Sequence, residues 1–315
     1  MSGENSKRSG EIGEKLAKAF LELIGWENSL QSVSIHCNDT DHKTASDKQK
    51  RSHGDDLVFI YNNPFYDSRT DVIHISVKNN LDGYPEKESE LKSAFKNHLE
   101  EANEIISCAQ YDSALSDLLS KHKSRKHREH SGLLIWTSSE TSSASRDVLS
   151  TVKNVRSLDE KCNKNVYVVD GARIHFILTA ITHIKAETSI EQFDFFYPET
   201  GGLVNRLDER HGSILPLELV VSDVIPIKAR SADKEILYLY VNQQFEQDCY
   251  RRALSLALGF AGAWPHEIRI GFPDYNAAHH ANDVVASELP FIGRKKKFVP
   301  FCFNTTNLNS LGNNV

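Results

Sequence analysis

A chain of 315 residues is too long for one typical domain and comfortable as two, each able to bury its own core. Its 39% hydrophobic and 25% charged residues exclude a disordered or fibrous protein, and a net charge of -6 excludes a surface that is basic throughout. The N-terminal residues hold no apolar signal core and no stretch approaches the roughly 18 apolar residues of a membrane span, so a water-soluble, cytoplasmic protein with no membrane partner is expected.

Along the chain, Ile12, Leu16, Ala19, Phe20 and Leu23 recur at intervals of three and four, which predicts an amphipathic helix over 10–24 with Ser9 capping its start and Gly25 ending it. The alternating run SVSIHC predicts a strand, and the polar, basic stretch 38–54 a loop. DLVFIY and DVIHISVK predict two more strands, joined through the turn-rich NNPFYDSRT. From 86 to 119 Leu91, Phe95, Leu99 and Ile106 lie on one face of a long helical region. GLLIW reads as a buried strand, TSSETSSASRDVLSTV as a loop leading into a helix, VYVVD as another buried strand and GARIHFILTAITHI as a helix.

This alternation implies an α/β domain with a mixed sheet flanked by helices, assigned to residues 1–187. After the turn-rich FFYPETGG, the runs LELVVSDVIPI and EILYLYVNQ and a helix over 245–260 imply a smaller α+β domain over 188–315, suited to recognition, a partner or an oligomer interface. The asparagine-rich tail NTTNLNSLGNNV reads as a frayed terminus. The five cysteines, Cys37, Cys108, Cys162, Cys249 and Cys302, are scattered without CxxC or Cys/His ligand spacing, so they read as reduced thiols rather than a zinc site.

The chemically informative stretch is HGDDLVFIYNNPFYDSRTDVIHISVK. Antiparallel pairing of its two strands lets Asp56 and Lys78 face each other at the sheet edge, and strand alternation puts Ser76 on the face of Lys78. A carboxylate, a second oxygen and a lysine on one patch suit phosphodiester hydrolysis. Asp56 is expected to hold Mg²⁺, with Mn²⁺ able to substitute, and Lys78 to position water or neutralise charge at phosphorus. Glu14 of GEIGEK, chosen over Glu11, is expected to complete the metal shell. Asp55 competes with Asp56, one of the two being a turn cap on the bland reading, and Asp71 reads as a turn residue.

Three basic clusters are candidates for phosphate contact. The first, Lys43, Lys48, Lys50 and Arg51, immediately precedes the proposed site and is the best placed to bind nucleic acid. The second holds Lys121, Lys123, Arg125, Lys126 and Arg128, and the third Arg294 to Lys297. His122, His127 and His130 are set among cations that would repel a metal, and His266, Asp274, His279 and His280 read as loop residues. No GxSxG, P-loop or GxGxxG fingerprint is present.

The GExGE character of the first helix, the His53-Gly54-Asp55-Asp56 lead into a strand and a following strand closing on Ser-Val-Lys resemble the PD-(D/E)XK nuclease superfamily over residues 10–186. The resemblance implies a restriction-endonuclease-like fold, with Asp56 and Lys78 at the family's aspartate and lysine. The family's second acid, two residues before the lysine, is Ser76 here, so a migrated acid such as Glu86 or Glu88 is expected to replace it. The whole chain is also similar to the nuclease subunit of a two-gene bacterial anti-phage system. That likeness implies a DNA endonuclease working with a partner protein or as a homo-oligomer, or a catalytically lapsed DNA-binding subunit.

Overall fold

The computed structural model describes residues 2–44, 46–155, 162–200, 207–294 and 296–304. Lys295 and the tail beyond Asn304 lie outside the described residues. The chain divides into two compact units, Met1–His175 and Phe176–Val315.

The first unit begins with α1 (Ser2–Leu23), which starts earlier than Ser9. Ser9 is no cap: its hydroxyl donates to the Asn79 carbonyl at 2.5 Å. Gly25, at φ 81, ends the helix as expected, because a left-handed residue there carries no Cβ penalty. The buried stripe is Gly13, Ala17, Phe20, Leu21 and Ile24, one position on from the expected Ile12, Leu16, Ala19, Phe20 and Leu23. Small side chains explain the rotation. A Cβ on Gly13 would lie 2.7 Å from Asn79 Cβ, so glycine lets the helix lie directly on the strand that carries Asn79.

Next come β1 (Leu30–His36), β2 (Ser52–Asn62) and β3 (Arg69–Asn80), successive antiparallel neighbours. His53 and Gly54 thus lie inside β2 rather than in the expected loop, and the strand begins before Asp56. Phe59 stacks on Trp26 at 4.8 Å between centroids and Tyr61 tilts against it at 6.0 Å, which ties this face of the sheet to the end of α1.

The long helical region is two helices, α2 (Glu88–Ala109) and α3 (Ser113–Ser120). Asp112 makes the break. Its Oδ1 accepts the Leu115 amide at 2.7 Å as an N-cap, while its Oδ2 accepts the His36 amide at 2.8 Å. Then follow β4 (His127–Ser138), parallel to β3, the short α4 (Leu149–Val152), β5 (Val166–Asp170), parallel to β4, and α5 (Gly171–Ala186). The sheet order is β1-β2-β3-β4-β5. GLLIW forms the fully buried half of β4, whereas part of the basic segment forms its exposed first turn of strand, paired with Arg69 to Val72. The core lies on both sheet faces: Trp136 packs between Tyr84 and Phe95 on one cluster, and Ile35, Val58, Val72 and Leu115 form another. Burying each such large side chain contributes about 1.5–3 kcal/mol.

The second unit holds a six-stranded sheet of order β11-β10-β9-β8-β6-β7. Its strands are β6 (Gln192–Phe196), β7 (His211–Gly212), β8 (Val224–Ser231), β9 (Lys234–Val241), β10 (Glu267–Phe272) and β11 (Lys297–Cys302). Among its helices, α6 (Leu217–Val220) is a single turn, α7 (Gln247–Ala261) packs Tyr250, Leu254 and Ala257 onto the sheet, and α8 (Ala277–Glu288) runs beside α7. His279 and His280 lie in the first turn of α8, capped by Asn276, rather than in a loop.

Candidate active site

The strands β2 and β3 bring the proposed chemistry to one sheet end. Around Asp56 the ladder to β1 is interrupted: Gln31 pairs with Leu57 and Val33 with Asp55, while Ser32 between them takes φ 52. The ladder to β3 ends nearby at Leu57 and Ile75. Asp55 meets His74 and Val58 joins Val72 and Cys108, so these two positions share a face although they are three apart. The alternation therefore slips at Asp56, opposite Ser32, while the register to β1 is the same on either side. That slip turns Asp56 toward α1, and its Oδ2 accepts the Val77 amide at 2.7 Å. Strict alternation had placed it on the face of Ser76 and Lys78.

Asp56 lines a cleft of about 200 Å³ together with Glu11, Glu14, Lys15, Lys18 and Gln31. Two acids of the GEIGEK helix thus share a recess with the strand aspartate. Burial raises the Asp56 pKa, against which the Val77 amide and then the Lys78 charge pull it down, while Glu101 raises it further. Asp55 is buried at 1% exposure with its Oδ2 2.5 Å from His74 Nδ1, and His74 Nε2 lies 2.9 Å from His130 Nδ1. Asp55 is therefore a core residue rather than a turn cap, and the solvent-facing acid is Asp56. Asp71 is likewise no turn residue: it is buried in β3, paired with Arg69 at 2.7 Å and accepting from Asn63 at 2.6 Å.

Lys78 lies near the end of β3, and its Nζ sits 2.8 Å from Glu101 Oε2 of α2. Ser76, two residues earlier, is buried. Glu101 is the acid that meets the lysine. Glu88, one of the acids expected to have migrated, opens α2 about 20 Å along the axis from Glu101, and its own partner is Lys92. The missed signal is positional: Glu101 directly precedes the buried Ala102, on the margin of the stripe of Leu91, Phe95 and Leu99. His98, one turn before it, is pushed down to about 4 by burial and then by Lys78, and its ring meets Trp136 edge-on at 5.5 Å. Lys78 and His98 also line a larger open cleft of about 690 Å³, with Ser9, Asn79 and Asn80 among its walls.

The family model for the GAPS4 protein PD-(D/E)XK nuclease domain matches residues 1–173. The chain belongs to this nuclease family. No curated protein matches it. The sheet order, with α1 before three antiparallel strands and α2 before the parallel β4, is the α/β arrangement of a PD-(D/E)XK nuclease domain.

Of the basic residues preceding Asp56, Lys48 and Arg51 are exposed, Lys43 pairs with Asp47 at 2.8 Å, and Lys50 is half-buried against Glu104 at 2.5 Å. In the second cluster Arg125 donates to the carbonyls of Asn63 and Tyr66, and Arg128 donates to that of Leu119 at 3.2 Å. In the third, Lys296 donates to the carbonyls of Ala263 and Pro265, and Lys297 pairs with Glu267. His130 spends a ring nitrogen on His74, and burial followed by His74 and Arg128 lowers it to about 3. The five cysteines are free thiols as expected, but Cys37 and Cys108 come together, buried beside His42 and His53. No helix of the described residues is long and apolar enough to cross a membrane.

Proposed function

We propose that the chain is a Mg²⁺-dependent DNA endonuclease of anti-phage defence, acting in the cytoplasm with a partner protein or as a homo-oligomer. The observation that carries this reading is Lys78 held at 2.8 Å by Glu101, two charges that both act on the Asp56 carboxylate. The donor set suits a hard cation: Asp56, Glu14 and Glu11 supply only oxygen atoms, and their recess is open to water. Bound there, the ion would stabilise charge developing on the phosphodiester oxygens. Glu101 supplies the carboxylate that Ser76 lacks and orients Lys78 through their ion pair. The Lys78 ammonium then holds a water or a phosphate oxygen by hydrogen bonding and neutralises charge as the bond breaks. Lys48 and Arg51, exposed on the loop before β2, would follow the DNA backbone.

Ser76 favours one alternative, a lapsed nuclease fold that binds DNA without cutting it. Incubation of the full chain with plasmid and linear DNA and Mg²⁺ separates the two. Nicking that is abolished in Asp56→Asn and Lys78→Ala supports the enzyme. Salt-dependent binding without turnover supports the lapsed subunit, and equal cleavage by wild type and Lys78→Ala refutes a site at Lys78.

A further inference from the structure

Four side chains from separate parts of the first unit converge in its core: Cys37, directly after β1, His42 of the following loop, His53 of β2 and Cys108 near the end of α2. All four are buried, and one ligand atom from each lies within 4.8 Å of the others. His42 Nδ1 is the common neighbour, 3.6 Å from Cys37 Sγ, 3.5 Å from Cys108 Sγ and 3.3 Å from His53 Nε2. A ring nitrogen has either one hydrogen or one lone pair, so hydrogen bonding cannot satisfy three such neighbours at once.

A metal ion can. With Zn–S about 2.3 Å and Zn–N about 2.0–2.1 Å, a tetrahedral centre sets N···N edges of about 3.3 Å and S···N edges of about 3.6 Å. The three observed separations match those edges. The outer nitrogens are also placed as in a metal site: His42 Nε2 lies 3.6 Å from Asp39 Oδ2 and His53 Nδ1 3.8 Å from Glu104 Oε2, with Lys50 in turn on Glu104 at 2.5 Å. Carboxylates behind the ligating imidazoles fix the ring orientation and raise ligand basicity. Two thiolates and two neutral imidazoles around a divalent ion make a neutral complex, which a buried site tolerates far better than a net charge.

We infer that Cys37, His42, His53 and Cys108 form a structural zinc site. Four protein ligands close the coordination sphere, so the ion stabilises the fold and does no chemistry on substrate. Soft sulfur with imidazole selects zinc over the hard magnesium of the nuclease recess. The site pins the basic loop between β1 and β2 to the end of α2, and it lies in sequence just ahead of Asp55 and Asp56. The ion thereby orders the β2 segment that presents Asp56 and the helix that presents Glu101.

The test is metal analysis of the untagged full chain purified without chelator. About one zinc per chain by plasma mass spectrometry is expected. The loss of zinc in Cys37→Ser and in His53→Ala, with retention in Cys162→Ser, would support these ligands. Should those variants fail to fold, cobalt titration of the stripped wild-type chain still decides. Intense d–d bands of tetrahedral cobalt with thiolate-to-metal charge transfer, saturating near about one equivalent, support the site. A soluble, folded chain isolated without zinc that gives no such bands overturns it, as does zinc retained in folded Cys37→Ser and Cys108→Ser. None of these readouts depends on DNA cleavage, so an inactive chain with full zinc leaves the site standing and removes only the nuclease reading.

Discussion

Two glycines of one helix should respond to the same substitution with opposite signs. Gly10 and Gly13 both lie in α1, and alanine is favoured over glycine in a helix by about 1 kcal/mol. Nothing lies within 4 Å of a Cβ built on Gly10, so Gly10→Ala should realise that gain and stabilise the protein by up to about 1 kcal/mol. At Gly13 the added carbon would stand 2.7 Å from Asn79 Cβ and 3.3 Å from Val77 Cγ1. Carbon atoms prefer about 3.5–4.0 Å, so the helix must retreat from β3 by about 1 Å. Overpacking of this kind costs about 1–3 kcal/mol, which outweighs the propensity gain and leaves Gly13→Ala destabilised by roughly 0–2 kcal/mol. For a domain of this size each kcal/mol moves Tm by about 2–4 °C, within reach of calorimetry. Retreat of α1 would also draw Glu14 away from Asp56 and lower DNA cleavage at fixed Mg²⁺. A Gly13→Ala protein that is more stable than Gly10→Ala would refute the close approach of α1 to β3.

Further outcomes follow from single contacts. Glu101→Gln should lower cleavage by about 10²-fold while changing unfolding free energy by under about 1 kcal/mol, because its ion pair with Lys78 is partly exposed; unchanged turnover would remove Glu101 from the site. Asp112→Ala deprives both the Leu115 and the His36 amides of an acceptor and should cost about 1–3 kcal/mol in urea unfolding, a loss that Asp112→Asn should partly restore. His183 is 6% exposed, accepts or donates at 3.0 Å to the Tyr240 hydroxyl, and is lowered to about 4 by burial and then by Arg269. Its folded pKa lies below its unfolded value of about 6.5, so the unfolded chain binds the extra proton between these values. Stability is full above pH of about 6.5 and falls toward pH 4 by up to about 3 kcal/mol from this group, and denaturation curves of His183→Gln should be flatter across that window.

The order of elements in the nuclease domain was legible because hydrophobic period is a local property of the chain. SVSIH, DLVFIY, DVIHISVK, GLLIW and VYVVD each lie in a strand of the sheet. The family was legible for the same reason, since the stretches around Asp56 and Lys78 that carry the resemblance are short and contiguous. Where local rules failed, packing between distant segments had the larger energy. Gly13 and Ala17 reset the buried face of α1, and the slip beside Ser32 reversed the direction expected for Asp56.

Sequence alone determined the nuclease fold class and the strand lysine, because both are written in residues close together. Only the tertiary structure decided that Glu101 is the acid at Lys78 and that Cys37, His42, His53 and Cys108 meet. Each of those groupings joins α2 to the sheet, and no spacing rule reaches across the chain between them. Their proximity follows from how α2 lies against β1, β2 and β3, a property of the assembled core rather than of any segment within it.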